Sequence, residues 1–277
     1  MKFLLPIDYS DYSNYALEFA KKFVDHNKFD LTLCHMIDAW PSIENLSLPE
    51  DQKTNILQSV EQAELNKLAN KVEEIKGAFR QVDHKLIKGK YIDGLQELLA
   101  EDEYDLVIVG SQGAHSRPEW RVGSSTTQVL RKIKRNVLVV KQSPLNLDVK
   151  EVVFVTGLDK EDQKAFKEFL RIIKHFDVNE VHVLTVDTFS YFSQPSVLMK
   201  DALEDFKNLA KHYDVDTHFY SDYSVNAGVR HFKEEFEIDL IGISNHFQHP
   251  LKRLFSGSTV ETIINKVDVP ILSIDYD

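Results

Sequence analysis

Cysteine is nearly absent: Cys34 is the one example in 277 residues. That excludes an intrachain disulfide and a cysteine-based metal cluster. Its place in the apolar run Leu31–Ile37 predicts a buried, inert thiol. Long apolar runs are missing too, and none approaches the length of a membrane span. The opening MKFLLPID is too short in its apolar part for a signal peptide, so a cytoplasmic location and no membrane partner are expected. There is no cationic surplus. The net charge of −11 argues against nucleic acid as a partner, which needs a basic face. The charge is uneven, about −2 over residues 1–147 and −9 over 148–277. Local catalytic signatures are lacking as well. We find no His-Glu-x-x-His, no Ser-His-Asp or Cys-His set in a recognisable local motif, no Walker loop and no dinucleotide fingerprint. Without a placed base or nucleophile, binding is easier to defend than turnover.

What is present centres on Asp105–Gln128, DLVIVGSQGAHSRPEWRVGSSTTQ. Leu106-Val107-Ile108-Val109 has the β-branched, apolar character of a buried strand. A polar loop follows with Gly110 and Gly113. Gly123-Ser124-Ser125-Thr126 then opens a helix whose apolar positions are Val129, Leu130 and Ile133. Strand, glycine-bearing loop and helix start outline a phosphate cradle. Glycines let backbone N–H groups approach an anion. The helix start adds unpaired donors and the positive end of a dipole, and the hydroxyls add more. A tight strand-to-helix connection that needs glycine only for its turns is the plainer alternative.

The spacing Gly110-x2-Gly113-x9-Gly123-Ser124-Ser125 resembles the nucleotide-binding signature of the universal stress protein family, and the resemblance extends over nearly the whole chain. It implies an α/β fold of two tandem Rossmann-like domains, each a five-stranded parallel sheet of order 3-2-1-4-5 with helices on both faces. It also implies ATP or another adenine nucleotide as ligand, with Mg²⁺ or Mn²⁺ on the phosphates. By the same resemblance, Asp8 would meet the adenine or ribose edge, and the Met36 backbone the adenine ring. Gly110, Gly113, Gly123, Ser124 and Ser125 would hold ribose and phosphates. Arg117 and Arg121, inside the loop, are candidates for the β- or γ-phosphate; two solvated arginines are the rival reading. Asp8 could instead cap the helix that follows it.

The chain reads as a repeat of about 140 residues. In the first copy, strands are expected at Lys2–Ile7, Leu31–Ile37, Val82–Ile87, Leu106–Val109 and Val137–Val140. Helices are expected from the Ser10 cap to about His26, from Pro49 to Lys76, around Ile92–Leu99, and from Gly123 to about Arg135, with a loop over 38–48. Residues 143–148 read as a linker. The second copy repeats the order: strands near Val152–Val155, Val181–Val186, Val215–Tyr220, Leu240–Ile243 and Ile271–Ile274, with helices near Lys164–Phe176, Val197–Tyr213, Val225–Phe236 and from Gly257. Asp105–Gly110 matches Asp239–Ser244, and Gly123-Ser124-Ser125 matches Gly257-Ser258-Thr259. The expected domains are therefore 1–143, with an intact nucleotide motif, and 148–277, with a degenerate one.

In the second copy Ser244 and Phe247 replace Gly110 and Gly113, and Gly157 replaces Asp8 when the first strands are aligned without a gap. The second domain is not expected to bind ATP as the first does. No metal-ligating set is assigned from the sequence; His246 and His249 read as surface residues. The expected function is an ATP-binding protein of stress response or regulation. A slow ATPase or phosphotransfer enzyme using Asp8 or His115 stays open, as does a nucleotide-free adaptor. The two repeats are expected to pair as a pseudo-dimer within the chain, with a further homodimer left open.

Overall fold

A computed structural model describes residues 1–37, 40–111, 124–188, 196–245 and 259–276. In the first half, strands β1 (Lys2–Pro6), β2 (Asp30–Met36), β3 (Gln81–Ile87), β4 (Leu106–Gly110) and β5 (Val137–Val140) alternate with helices α1 (Asp11–Ala20), α2 (Trp40–Glu44), α3 (Glu50–Ile75), α4 (Tyr91–Glu101) and α5 (Ser124–Lys132). In the second half, β6 (Glu151–Val155), β7 (Glu180–Asp187), β8 (Asp214–Ser221), β9 (Leu240–Ser244) and β10 (Ile271–Ile274) alternate with α6 (Lys160–Ile173), α7 (Ser196–Leu209), α8 (Val225–Glu235) and α9 (Thr259–Lys266).

The strands form one ten-stranded sheet in the order β3-β2-β1-β4-β5-β10-β9-β6-β7-β8. Each half has the order 3-2-1-4-5, with parallel pairing throughout. The halves join where β5 and β10 pair antiparallel, Leu138 opposite Leu272. Parallel strands covered on both faces must be apolar on both sides. β4, β5 and β9 accordingly have their apolar residues buried along their whole length. One core layer, with Phe19, Phe23, Phe154, Phe166, Phe169 and Phe206, runs under α1, α3, α6 and α7 of both halves. The other lies under α4, α5, α8 and α9.

The halves are also tied beside the sheet. The Phe23 and Phe176 rings lie 4.2 Å apart, and Val24 N–H donates to the His175 carbonyl at 2.7 Å. Asn136, buried, donates through Nδ2 to Glu168 Oε1 (2.7 Å) and accepts from Asp275 N–H (3.1 Å). Arg171 joins Glu168 Oε1 at 2.7 Å to Asp105 Oδ1 at 3.2 Å. The Lys141 ammonium reaches the Ile264 and Val267 carbonyls at the end of α9. Replacing Asn136 by alanine removes the acceptor of the Asp275 N–H and one of the two donors to Glu168 Oε1, which keeps its pair with Arg171. It should lower stability by about 1–3 kcal/mol in urea unfolding; a change within about 0.5 kcal/mol, the range of an ordinary surface substitution, would mean that Asn136 does not bridge the halves.

Several boundaries differ from expectation. α1 stops at Ala20, not near His26: the Lys21 and Lys22 N–H groups close onto Glu18 and Phe19, and the chain turns so that Val24 can bond across to the second half. The expected loop over 38–48 contains α2, whose Trp40 Nε1–H donates to Glu44 one turn on. α5 ends at Lys132. α6 starts four residues early, because Asp159 caps it by accepting from Asp162 N–H at 2.7 Å. α7 ends at Leu209. Residues 189–195 lie outside the described residues.

Candidate functional site

β1 and β4 are neighbours, yet α1 leaves β1 over one core layer while α5 leaves β4 over the other. Such a divergence opens a crevice at the carboxyl ends of the strands. A cleft of about 200 Å³ is found there. It is lined by Pro6, Ile7, Asp8 and Ser13, by Cys34, His35 and Met36 at the end of β2, by Tyr91, by Val109 and Gly110, and by Ser125 and Thr126 of α5. Four of the nine residues picked out by sequence, Asp8, Met36, Gly110 and Ser125, thus meet at one place. Ser124 is the first residue of α5. Gly113, Arg117, Arg121 and Gly123 lie outside the described residues, as do His115 and Trp120. The volume is below the roughly 300–1,000 Å³ of a site that encloses a whole drug-sized ligand. The described walls are large enough to enclose one part of such a ligand.

Asp8 does not cap α1. Ser10 does, its Oγ accepting from Ser13 N–H at 3.3 Å. Asp8 instead holds the capping residue: its Oδ1 accepts from Ser10 N–H (3.0 Å) and Ser10 Oγ (2.6 Å). Partial burial pushes the Asp8 carboxyl up, but these hydrogen bonds outweigh it and leave its pKa below the usual carboxylate value. Asp8 is therefore an anion at neutral pH, suited to accept from hydroxyls or an amine and unsuited to touch phosphate. Tyr9 follows in the left-handed region, φ 61°, a conformation unusual for a bulky residue. Burial, then the charge of Glu64, pushes its phenol up to about 12. Its ring lies against His35 at 4.9 Å. His35 Nδ1 is 2.6 Å from the Ile7 carbonyl, so this nitrogen carries the proton, and Nε2 faces Glu64 Oε2 at 3.4 Å.

Gly110 has a structural reason to be glycine. A Cβ there would stand 2.1 Å from the Tyr12 carbonyl oxygen, so α1 packs directly on the strand backbone. Next to it, Ser111 Oγ is buried without a hydrogen-bond partner. Burial pushes the Tyr91 phenol and the Cys34 thiol well up, leaving a neutral hydroxyl at the cleft and an inert thiol as expected. Ser13, His35 and Tyr91 were not picked out by sequence. Each reaches the cleft only through the fold, from a helix interior, a strand end and a helix start.

The second half keeps the frame and changes the chemistry. Leu158 repeats the left-handed turn of Tyr9, φ 64°, which supports the gap-free match of Gly157 with Asp8. At the position of Ser13 stands Asp162, buried, whose Oδ2 accepts from Gly157 N–H (2.6 Å) and Thr156 Oγ1 (2.8 Å). The glycine that permits close packing has moved to Gly242, where a Cβ would lie 2.4 Å from the Phe169 ring. Phe247 lies outside the described residues.

A sequence model described as "Universal stress protein family" matches residues 1–141. The universal stress protein MJ0577 of Methanocaldococcus jannaschii is 32% identical over 154 residues, covering 51% of this chain and 94% of that protein. Among solved structures, a universal stress protein from Archaeoglobus fulgidus DSM 4304 superposes with a TM-score of 0.69 at 18% identity, covering 99% of this chain and 96% of its own. A functionally unknown protein from Pseudomonas aeruginosa PAO1 superposes with a TM-score of 0.60 at 14% identity, covering 99% and 92%. At these identities the two structures speak for the fold alone. Among the described residues no helix is long and apolar enough to cross a membrane.

Proposed function

Because the chain belongs to the universal stress protein family, we propose that its first domain, residues 1–143, binds ATP in the cleft between β1 and β4 and acts in stress response or regulation. One observation carries this reading. Four residues from three strand ends and a helix start, each chosen on sequence grounds, line a single crevice at the switch point of the sheet. Within it, Asp8 and Met36 stand on the nucleoside side, and Gly110 and Ser125 beside the amino end of α5. The dipole and unpaired N–H groups of that end suit phosphate, while the Asp8 carboxylate suits ribose hydroxyls or an adenine amine. Gly113, Gly123, Arg117 and Arg121 are assigned to the phosphates from the motif. Mg²⁺ or Mn²⁺ would ride on the phosphates, with no side chain of the cleft assigned as its ligand.

The second domain, residues 148–277, is read as lacking this activity. Asp162 already occupies the Gly157 N–H, and its carboxylate would repel an anion. Calorimetric titration of the whole chain with ATP should therefore give one site. Asp8→Ala and Gly113→Val should each weaken it by at least about tenfold, or 1.4 kcal/mol. Affinity equal to that of the unchanged protein in both variants would remove the cleft as the site.

A further inference from the structure

The amino ends of β6, β7 and β8 hold a cluster that the nucleotide reading does not use. The register sets Glu151 beside Glu180 and Glu180 beside Asp214, one carboxylate on each of three adjacent strands. Like charges in such a row destabilise a sheet. Two residues along β7, on the same face, His182 is buried, with 1% of its side chain exposed, and its Nε2 has no hydrogen-bond partner. Glu151 Oε2 lies 3.9 Å from that nitrogen, and Glu180 Oε1 lies 3.6 Å from Nδ1. One donor atom from each of the three residues falls within 4.8 Å of the others.

The first half shows how the same positions are closed when no outside cation is needed. There the register brings together Lys2, Asp30 and Gln81, with Thr32 where the second half has His182. Lys2 pairs with Asp102, and Asp30 with Arg80. The chain supplies its own cations. In the second half, among the described residues, His182 is the only ion-pair partner of Glu151 or Glu180.

We propose that Glu151, Glu180 and His182 form a site for a divalent transition-metal ion, with Zn²⁺ the best match. An imidazole and two carboxylates, with water in the fourth position, is a donor set this ion accepts. Nε2 of His182 is the ligand atom. His218 is a positioning residue: its Nε2 lies 3.0 Å from His182 Nδ1, and in the metal-bound form it would accept the Nδ1 proton, which leaves the lone pair on His182 Nε2. Ligand bonds of about 2.0–2.2 Å require the donors to close in. The Glu151 and Glu180 side chains are 40% and 30% exposed, so they can swing to do so. The antiparallel join sets this cluster on the same edge of the sheet as the nucleotide cleft, five strand spacings or roughly 24 Å away. The proposal stands independently of ATP binding.

The test is titration of the chelator-stripped, full-length protein with Zn²⁺ against a chromophoric competitor, repeated with Co²⁺ to read the visible bands of a low-coordinate site. One equivalent should bind. Glu151→Gln and Glu180→Gln should each weaken it by at least about tenfold, a loss in the range that even outer-shell partners of a metal produce. The metal-free thermal transition should not fall in either variant, since each removes a repelling charge. Zn²⁺ should raise the transition of the unchanged protein and not that of the double variant. Unchanged affinity in the double variant, or binding lost instead on replacing His246 and His249, would overturn the site.

Discussion

Replacing Gly110 by valine is expected to cost about 3 kcal/mol or more of folding stability and, with it, the ordered start of α1. The position where its Cβ must go lies 2.1 Å from the Tyr12 carbonyl oxygen, 2.3 Å from the Tyr12 carbonyl carbon and 2.7 Å from the Ser13 nitrogen. None of these is the end of a flexible side chain that can swing aside. Either β4 leaves its place between β1 and β5, or the first turn of α1 lifts away. The second is cheaper, because that turn is held mainly by the Ser10 cap and the Asp8 bonds to Ser10. Overpacking a close-packed interior typically costs about 1–3 kcal/mol when side chains can shift, and a backbone collision belongs at the upper end. Alanine should show a smaller loss of the same kind. Urea unfolding followed by far-ultraviolet dichroism measures both. A valine variant within about 0.5 kcal/mol of the unchanged protein, the range of an ordinary surface substitution, would show that α1 does not rest on this strand. If the cleft binds ATP, the same variant should bind it more weakly, since Asp8 moves with the helix start.

The second large effect concerns Asp162. Burial, then the charge of Asp159, pushes its carboxyl up to about 6, against hydrogen bonds from Gly157 N–H and Thr156 that pull it down. Between an unfolded value near 3.8 and this folded value, the folded chain holds a proton that the unfolded chain has released. Stability from this group is thus fully present below about pH 4 and is lost as pH rises through about 6. The loss is on the order of 3 kcal/mol at most, taking 1.36 kcal/mol per pH unit. Asp162→Asn keeps an acceptor for the two donors and carries no charge. It should flatten the stability profile between pH 4 and 6 and, at pH 7, equal or exceed the original by up to about 3 kcal/mol. A series of urea titrations across that range decides it. An unaltered slope would place the titrating group elsewhere. Asp162→Ala should instead destabilise at every pH, because it strands the Gly157 and Thr156 donors.

Much of the frame could be read from the residues. Apolar runs rich in valine, isoleucine and leucine marked the strands, and β5 and β10 match their expected bounds residue for residue. The repeat was visible because Asp105–Gly110 and Asp239–Ser244 keep both pattern and neighbours. Helix ends were harder, since they depend on partners distant in sequence. α1 stops where Val24 finds His175, a residue of the other half. The early start of α6 was legible in principle, as Asp159 followed by Glu161 and Asp162 is an N-terminal signature. At the site, Asp8 and Gly110, both named by the family resemblance, line one cleft, but for Gly110 the packing need of α1 was hidden. The acid–imidazole cluster left only a faint trace, Glu180-x-His182 on one strand face; Glu151 joins it through the register with β6, which no local pattern encodes.

The antiparallel join has a further consequence for how the protein meets its own kind. Two identical chains pairing through β5-like edges would consume those edges, and here the second half does so from within. The sheet's remaining borders are β3 and β8. Both carry exposed polar residues, Gln81, Asp83 and Lys85 on alternate positions of β3 and Asp214, Asp216, Thr217 and Ser221 on β8, which discourages a stranger from adding a strand. A symmetric homodimer must accept each substitution twice. A chain that carries its own mate can change one side alone, and here Asp8, Ser13 and Gly110 of the first half stand where the second has Gly157, Asp162 and Ser244.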